Sequence, residues 1–517
     1  MNMGEIAKER KLILRDEKTL SGRPHVGSLR SFTMHAVLSD VLTSRGVDHE
    51  YFYEINDTDA LEKIPAYVPE EWKEHLGKPL RNVPAPDGKS ENYAMQFADE
   101  YTNILKDAKY PVTFYVSSEK YLAGDYDKYI RLALDHKDDI RAIYKDVSGG
   151  EKPESWYPCQ VICDECGKIA STSILSWDGE EVEYACDVQK DWRKGCGHKG
   201  KKSPFGGEAT LPWKVEWAAK FCILEVDLEG AGKDHYAAGG SRHIANRICE
   251  EIFDRKHPFD VRHEFILVEG GKMSSSTGLG LSAMDLYELL PRDIFRFMMV
   301  QKDVMRTINF SPDGDTIPVL FDQYDGVCKN YFAEEKEGVK EHKNRFFELT
   351  HFYEGKDLSH LDRFLPRFSQ IAFYAQMPHV DLYEKMTELK GSALTEADKK
   401  EIDTRVKYAK HWLETCGPEK YIFKIQDEVP DVDLDAGQRE FLGSLAKFLG
   451  ENSEANGEAI QGFIHEKKNE MGLEPKKIFQ AIYMAILAKD SGPKAGWLLE
   501  ALDNKFLLER FNAIANG

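Results

Sequence analysis

The stretch Leu12-Ile13-Leu14-Arg15-Asp16-Glu17-Lys18-Thr19-Leu20-Ser21-Gly22-Arg23-Pro24-His25-Val26-Gly27-Ser28 decides the fold. Leu12-Ile13-Leu14 reads as a short apolar strand. A turn rich in Gly, Pro and Ser follows from Ser21 to Ser28, then a helical pattern to about Ser44 with Met34, Val37, Leu38 and Val41 on one face. A strand that turns into a helix is where an open α/β sheet receives a phosphate chain, because free backbone N–H groups and the helix dipole favour negative charge there. Gly22 and Gly27 leave the backbone approachable, and His25 can donate to a phosphate oxygen. Taken alone, the same residues fit an ordinary strand-to-helix turn with a surface histidine.

Outward from this point the α/β alternation continues. Tyr51–Ile55 and Val112–Val116 read as strands with helical sequence around them, which predicts a doubly wound parallel sheet of the Rossmann-like type. The texture changes near Pro153. Residues 153–212 hold a cysteine cluster, paired glycines and short β-prone pieces, and read as a small insertion. Phe221–Val226 is expected to be a strand, Ser241 to cap a helix through Ile244 and Ile248, and Phe265–Val268 to be a strand leading into Gly270-Gly271. From about Asp315 the pattern is helical, as in Phe441, Leu442, Leu445, Phe448 and Leu449, and in Ile478, Ile482 and Ile486 behind Pro475. The expected division is a catalytic domain over 1–152 and 213–270, a zinc-binding insertion over 153–212, a connecting region over 271–315 and a helical region over 316–517.

The chain has 517 residues, too many for a single core, and a formal net charge of −20. The negative balance argues against non-specific nucleic-acid binding and requires that positive charge be placed locally if RNA is a partner. No apolar run reaches membrane-spanning length and the first residues lack a signal-peptide pattern, so a cytoplasmic protein without membrane association is expected. Of nine cysteines, five fall between Cys159 and Cys196. Cys163-x-x-Cys166-Gly167, Cys186 and Cys196-Gly197-His198 have the spacing of a closed structural Zn²⁺ site with Cys163, Cys166, Cys186 and Cys196 as ligands. His198 is an alternative to Cys186, and Cys159 is expected to stand aside.

A second motif, Gly271-Lys272-Met273-Ser274-Ser275-Ser276-Thr277-Gly278, follows the strand at 265–268. One lysine beside several hydroxyls suits the charge that develops as pyrophosphate leaves; alone, it is also what a polar loop looks like. Together the two motifs carry a resemblance. His25-Val26-Gly27-Ser28 resembles the HIGH signature, and Lys272-Met273-Ser274-Ser275-Ser276 the KMSKS signature, of class I aminoacyl-tRNA synthetases. Ser28 departs from the general pattern, which has His there, toward the small polar residue of the class I lysyl enzymes. Asp57-Thr58-Asp59-Ala60-Leu61, His75-Leu76-Gly77-Lys78-Pro79-Leu80, Leu211 to Trp217, Gly230 to His235 and Ser491 to Gly496 are similar to that same lysyl family, so the resemblance covers most of the chain.

The resemblance implies lysine activation by ATP and Mg²⁺ and transfer to the 3′ end of tRNA, with no protein nucleophile. Catalytic positions would be His25, Gly27, Lys272, Ser274 and Ser275. ATP would meet Gly22, His25, Ser28, Gly232, Asp234 and Lys272. Lysine would meet Glu17, Thr19, Trp213, Glu216 and His235, with Trp213 against the apolar stem and a carboxylate near the ammonium. Two positions depart from the family: Glu17 stands where a glycine is usual, and His263 where tyrosine is usual. Glu17 is accordingly expected to pair with the substrate ammonium and to repel glutamate. The family's further Cys/His metal site has no counterpart in Asp87 to Gln96. The helical region would read the anticodon, with Lys476, Lys477, Lys489 and Lys494 available to the RNA backbone. A monomer is favoured. Alternatives are a class I synthetase of other specificity, glutamate above all, a non-catalytic RNA-binding relative, or a nucleotidyltransferase sharing the fold.

Overall fold

The structure, a computed structural model, describes residues 3–268, 281–333, 340–377 and 380–517. It divides into two compact units, Met1–Phe310 with Glu335–Lys356, and Ser311–Glu334 with Asp357–Gly517.

The first unit is built on five strands: β1 (Leu12–Thr19), β2 (His49–Asn56), β3 (Thr113–Val116), β4 (Leu228–Gly232) and β5 (Phe259–His263). Their order is β5-β4-β1-β2-β3, and every adjacent pair is parallel. The chain winds outward from β1 in one direction and then, from β4, in the other. This is the doubly wound arrangement expected from sequence, and its order reverses between β1 and β4. The strand ends separate there and leave a crevice at their carboxyl side.

Three elements around that crevice depart from the sequence expectation. β1 does not stop at Leu14 but runs to Thr19, through four successive charged residues. Ion pairs inside the fold hold Arg15 and Glu17, as described below. Phe221–Val226 is not a strand: helix α2 runs from Trp213 to Ile223, and β4 starts at Leu228. Phe221 and Val226 are apolar because they face the core at the end of a buried helix. Ser241 is not a cap: helix α3 (Ser241–Glu251) has Gly240 as its N-cap, and the Ser241 hydroxyl bonds the His235 ring instead.

The helix that follows the first turn, Ser28–Ser44, is buried differently from its apolar stripe. Val37, Leu38 and Val41 are only partly covered, whereas Arg30, His35 and Asp40 are buried. Each of these polar groups has an internal partner: Arg30 donates to Met299 O, Gly230 N–H donates to His35 Nε2, and Asp40 pairs with Arg296 at 2.9 Å. Burial of polar side chains is tolerated when they are matched in this way.

The insertion is closed at its neck by Gln160–Val161 pairing antiparallel with Ala209–Thr210. It contains a three-stranded antiparallel sheet (Ser173–Trp177, Val182–Ala185, Lys199–Lys202) and the hairpin Gln189–Lys190/Arg193–Lys194. Beyond β5, Ile266–Val268 pairs with Ile308–Phe310.

In the second unit every described element is helical. The helix Ala436–Glu451 opens with a capping box, the Asp435 side chain accepting from Gln438 N–H while Gln438 returns a bond to the Asp435 backbone, and Pro475 occupies the first turn of Pro475–Leu487. Arg405 ties this unit together. It is fully buried and bonds Asp325 (2.5 and 2.9 Å), Glu401 (2.7 Å) and Pro366 O (2.6 Å). Arg405→Ala strands the Asp325 carboxylate in the interior, Glu401 keeping Arg363 at 2.8 Å, so urea denaturation should show a loss of about 3–5 kcal/mol, whereas replacing Arg405 and Asp325 together by apolar residues of similar size should cost much less.

Candidate active site

A cavity of about 390 Å³ opens at the carboxyl ends of β1, β4 and β5. Successive residues of β1 point to opposite sides of the sheet, so the cavity has two walls of different chemistry.

On one wall Arg15, Glu17 and Thr19 face a network of buried charges. The Arg15 guanidinium, with no exposed surface, bonds Glu17 (2.5 Å), Glu54 (2.6 Å) and Glu229 (2.8 Å). Lys220 of α2 reaches Glu17 (2.6 Å), Glu54 (2.8 Å) and Glu216 (3.0 Å). Tyr115 donates to Glu54, Trp217 Nε1 to Glu229, and Tyr121 to Glu216 (2.7 Å). Burial alone would raise the Glu17 carboxyl; Lys220 and Arg15 outweigh it and hold Glu17 at about 2. Burial opposes the charge of Lys220 too, yet Glu17, Glu216 and Glu54 keep it firmly protonated. Glu216 goes the other way. Burial pushes it up to about 7 despite Lys220.

Glu17 lines the cavity; Arg15 and Lys220 both bond its Oε2, while its Oε1 has no hydrogen bond among the described residues. One expectation is revised. Glu216 is not in the cavity wall; it lies behind, bonded to Tyr121 and Lys220. Of the other residues expected to meet lysine, Thr19, Trp213 and His235 all line the cavity. Thr19 donates to Asp59 at 2.5 Å. Trp213 is 49 % exposed, so it is a wall and not a core residue. Its ring stands edge-on to His235, which also meets Trp217.

On the other wall lie Asp16, Lys18, His263, Gly230 and Gly232. The glycines are small for a reason. A Cβ at Gly230 would come within 2.6 Å of Val261 O, and one at Gly232 within 2.7 Å of Asp234 and 3.1 Å of Phe265. Burial lowers the pKa of Lys18, which Asp16 only partly offsets. Asp16, Lys18, Tyr53 and Phe265 escaped sequence reasoning, and His263 was noted only as a departure from the family's tyrosine. The one available signal was a run of charges directly after an apolar strand start.

At the mouth, His25, Gly27 and Ser28 line the cavity. The His25 ring lies over Gly27, where any Cβ would meet it at 2.8 Å, and Ser28 Oγ donates to His25 O. Gly22 is buried and does not line the cavity. Gly232 and Asp234 stand at the opposite lip. Lys272, Ser274 and Ser275 lie outside the described residues. The chain is described again from Leu281, and there it joins the first motif: Val26 N–H donates to Leu281 O (3.3 Å), Ala283 N–H donates to Pro24 O (2.8 Å), and His25 bridges Ser282. Ile266, just before the second motif, also lines the cavity.

In the insertion, the sulfurs of Cys163, Cys166, Cys186 and Cys196 all lie within 4.8 Å of one another. Two of the separations, Cys163 to Cys196 and Cys166 to Cys186, are 3.7 Å. A tetrahedral zinc with bonds of about 2.3 Å needs sulfurs about 3.8 Å apart, so the four thiols fit that ion. Gly167 and Gly197 adopt φ of +70° and +85°, which lets Gly167 N–H reach Cys163 O and Gly197 N–H reach Cys186 O. His198 stays outside the group, its ring against Tyr184, so Cys186 and not His198 completes the set. Cys159 is buried and separate.

The raised Glu216 pKa has a consequence for stability. Between pH 4.5 and 7 the unfolded chain releases this proton while the folded chain keeps it, so folding stability falls across that window and levels above it. Glu216→Gln should remove this component: in urea melts the variant should gain on the parent protein as pH rises from 5 to 7.5.

Comparison with known proteins identifies the family. Residues 4–353 match the family model described as tRNA synthetases class I (K). The chain is 30 % identical to the lysine–tRNA ligase of Methanosarcina barkeri over 96 % of its own length and 94 % of that protein. It is 31 % identical to lysine–tRNA ligase 1 of Methanosarcina acetivorans (95 % and 93 %) and to the lysine–tRNA ligase of Archaeoglobus fulgidus (95 % and 94 %). The chain therefore belongs to the class I (K) tRNA synthetases.

Proposed function

We propose that this protein is a lysine–tRNA ligase. It activates L-lysine with ATP to lysyl-adenylate and passes the lysyl group to the 3′ end of tRNA(Lys). One observation carries the assignment of the site: the crevice between β1 and β4 is bordered by the His25 turn, and the chain that follows the second motif is hydrogen-bonded to that same turn at Pro24 and Val26.

In this reading ATP lies across the mouth, its adenosine end toward Gly232 and Asp234 and its phosphates over His25, Gly27 and Ser28. Lysine enters between Trp213, Thr19 and His235. A lysine carboxylate oxygen attacks the α-phosphorus, the bond to the bridging oxygen breaks, and pyrophosphate departs. A terminal ribose hydroxyl of the tRNA then attacks the lysyl carbonyl and AMP leaves. Bound Mg²⁺ would supply charge neutralisation on the phosphates. The protein's part is to align the reactants, to donate from His25, and to bring Lys272, Ser274 and Ser275 to the leaving pyrophosphate. The fixed charge network behind Glu17 keeps β1 and α2 rigid under the amino-acid site.

We further assign a structural Zn²⁺ to Cys163, Cys166, Cys186 and Cys196, where it would hold the insertion together without taking part in chemistry. The insertion also carries Lys190, Arg193, Lys194 and Lys199, local positive charge suited to RNA on an otherwise acidic chain. The helical unit from Ser311 is the candidate anticodon-reading part, with Lys476, Lys477, Lys489 and Lys494 exposed or half-exposed along it. Among the described residues no helix is long and apolar enough to cross a membrane.

ATP–pyrophosphate exchange with each of twenty amino acids, with and without tRNA, tests the function. Lysine alone should support exchange, and His25→Ala should lower kcat about 10²–10³-fold with the fold intact. Exchange with glutamate in place of lysine would refute the specificity. Elemental analysis should find one zinc per chain, and Cys186→Ser should lose it along with protease resistance between residues 153 and 212.

A further inference from the structure

Asp16 is the one carboxylate in the cavity wall with a buried oxygen left open. Glu17 has its Oε2 bonded by Arg15 and Lys220 and its side chain partly exposed, and the two oxygens of Glu229 are taken by Arg15 and Trp217. Asp16 Oδ1 accepts from Glu17 N–H at 2.9 Å, but Oδ2 has no hydrogen-bond partner among the described residues, although Asp16 is only 6 % exposed. His35 Nδ1 stands 3.5 Å away, beyond a good hydrogen bond. Its ring is otherwise engaged: Nε2 accepts from Gly230 N–H (2.8 Å), so the ring proton sits on Nδ1 and goes to Ser31 O (2.9 Å). Lys18, on the same face of β1, makes no ion pair with Asp16 among the described residues.

A second open atom lies on β5. His263 is 5 % exposed, its Nδ1 meets Glu264 O at 3.0 Å, and its Nε2 has no partner among the described residues. A carbonyl can only accept, so Nδ1 carries the proton and Nε2 presents a lone pair. The wall of the cavity thus offers two buried acceptors that neither Lys18 nor His35 satisfies with a hydrogen bond among the described residues. Leaving such groups unmatched is costly, and an ammonium, with three donors and a positive charge, satisfies both. A carboxylate would satisfy neither.

We propose that Asp16 Oδ2 and His263 Nε2 receive the side-chain ammonium of the amino-acid substrate. The depth of the site selects that ammonium over the α-ammonium. Asp16 lies three residues before the end of β1, about 10 Å below the mouth at 3.3 Å per residue. Lysine spans about 6 Å from Cα to Nζ, so its carboxylate can remain near His25 while Nζ reaches Asp16. An α-ammonium at Asp16 would drag the reacting carboxylate below the phosphates. The proposal rests on the reading of this cavity as the amino-acid site and gives Asp16 the part first expected of Glu17.

The test is calorimetric binding of lysine, 6-aminohexanoate (side-chain ammonium only) and norleucine (α-ammonium only) to the full chain and to Asp16→Asn, which keeps the Oδ1 acceptor and the shape. Asp16→Asn should weaken lysine and 6-aminohexanoate about 10–150-fold and leave norleucine and ATP within about 3-fold. His263→Leu, a second variant whose fold does not depend on Asp16, should weaken the same two ligands less strongly. Unchanged lysine affinity in both variants, or a loss confined to norleucine, overturns the proposal. Failure of the ligase reading shows separately, as absence of lysine-dependent exchange in a parent protein that still binds 6-aminohexanoate through Asp16.

Discussion

The architecture of the site depends on one buried contact, the Arg15 guanidinium among Glu17, Glu54 and Glu229. Arg15 is on the central strand, Glu54 on the strand to one side and Glu229 on the strand to the other. Its fork therefore spans β2, β1 and β4 at the level where the sheet divides. A buried arginine without these carboxylates would be prohibitively costly, and the carboxylates without the arginine equally so. The group is stable only when the three strands sit in register. Lys220 repeats the arrangement from α2 and extends it to Glu216.

That constraint explains why the cavity has the form it does. Both Glu17 and Glu229 border it with bonds to the interior cations, and Trp213, half exposed, adds an aromatic surface beside them. The opposite wall keeps Gly230 and Gly232 open and leaves Asp16 and His263 facing the space. Protein cations satisfy the carboxylates on one side of the sheet, and the cavity has access to the one on the other. The turn of His25 and Gly27 borders the mouth, pinned by backbone bonds of Val26 to Leu281 and of Pro24 to Ala283.

Much of this was legible in the sequence, and the parts that were not share a cause. The sheet, the turn at His25, the four cysteines and the helical second unit follow from periodicity, glycine placement and ligand spacing, which are local. The extension of β1 through Arg15-Asp16-Glu17-Lys18 was hidden because charged residues in a strand look like its end. Arg15 and Glu17 belong there only because partners from β2, β4 and α2, up to 214 positions away, arrive to neutralise them. Glu216, expected to meet the substrate, lies behind the wall because sequence shows which carboxylates exist but not which are already paired. Phe221 to Val226 failed for a related reason: a short apolar run is the same whether it covers a core as strand or as helix end. The Arg30, His35 and Asp40 side chains of the first helix, buried against its apolar periodicity, again depend on distant matches.

The central claim is that adenylate forms in the crevice between β1 and β4, with the amino-acid side chain directed into the sheet. A crystal structure with a non-hydrolysable lysyl-adenylate analogue tests it most directly. The account requires the adenosine beside Gly232 and Asp234, the phosphate mimic over His25 and Gly27, and the lysyl chain running past Trp213 toward Asp16. An analogue bound elsewhere, or one lying in the crevice with its ammonium turned out to solvent, would contradict it.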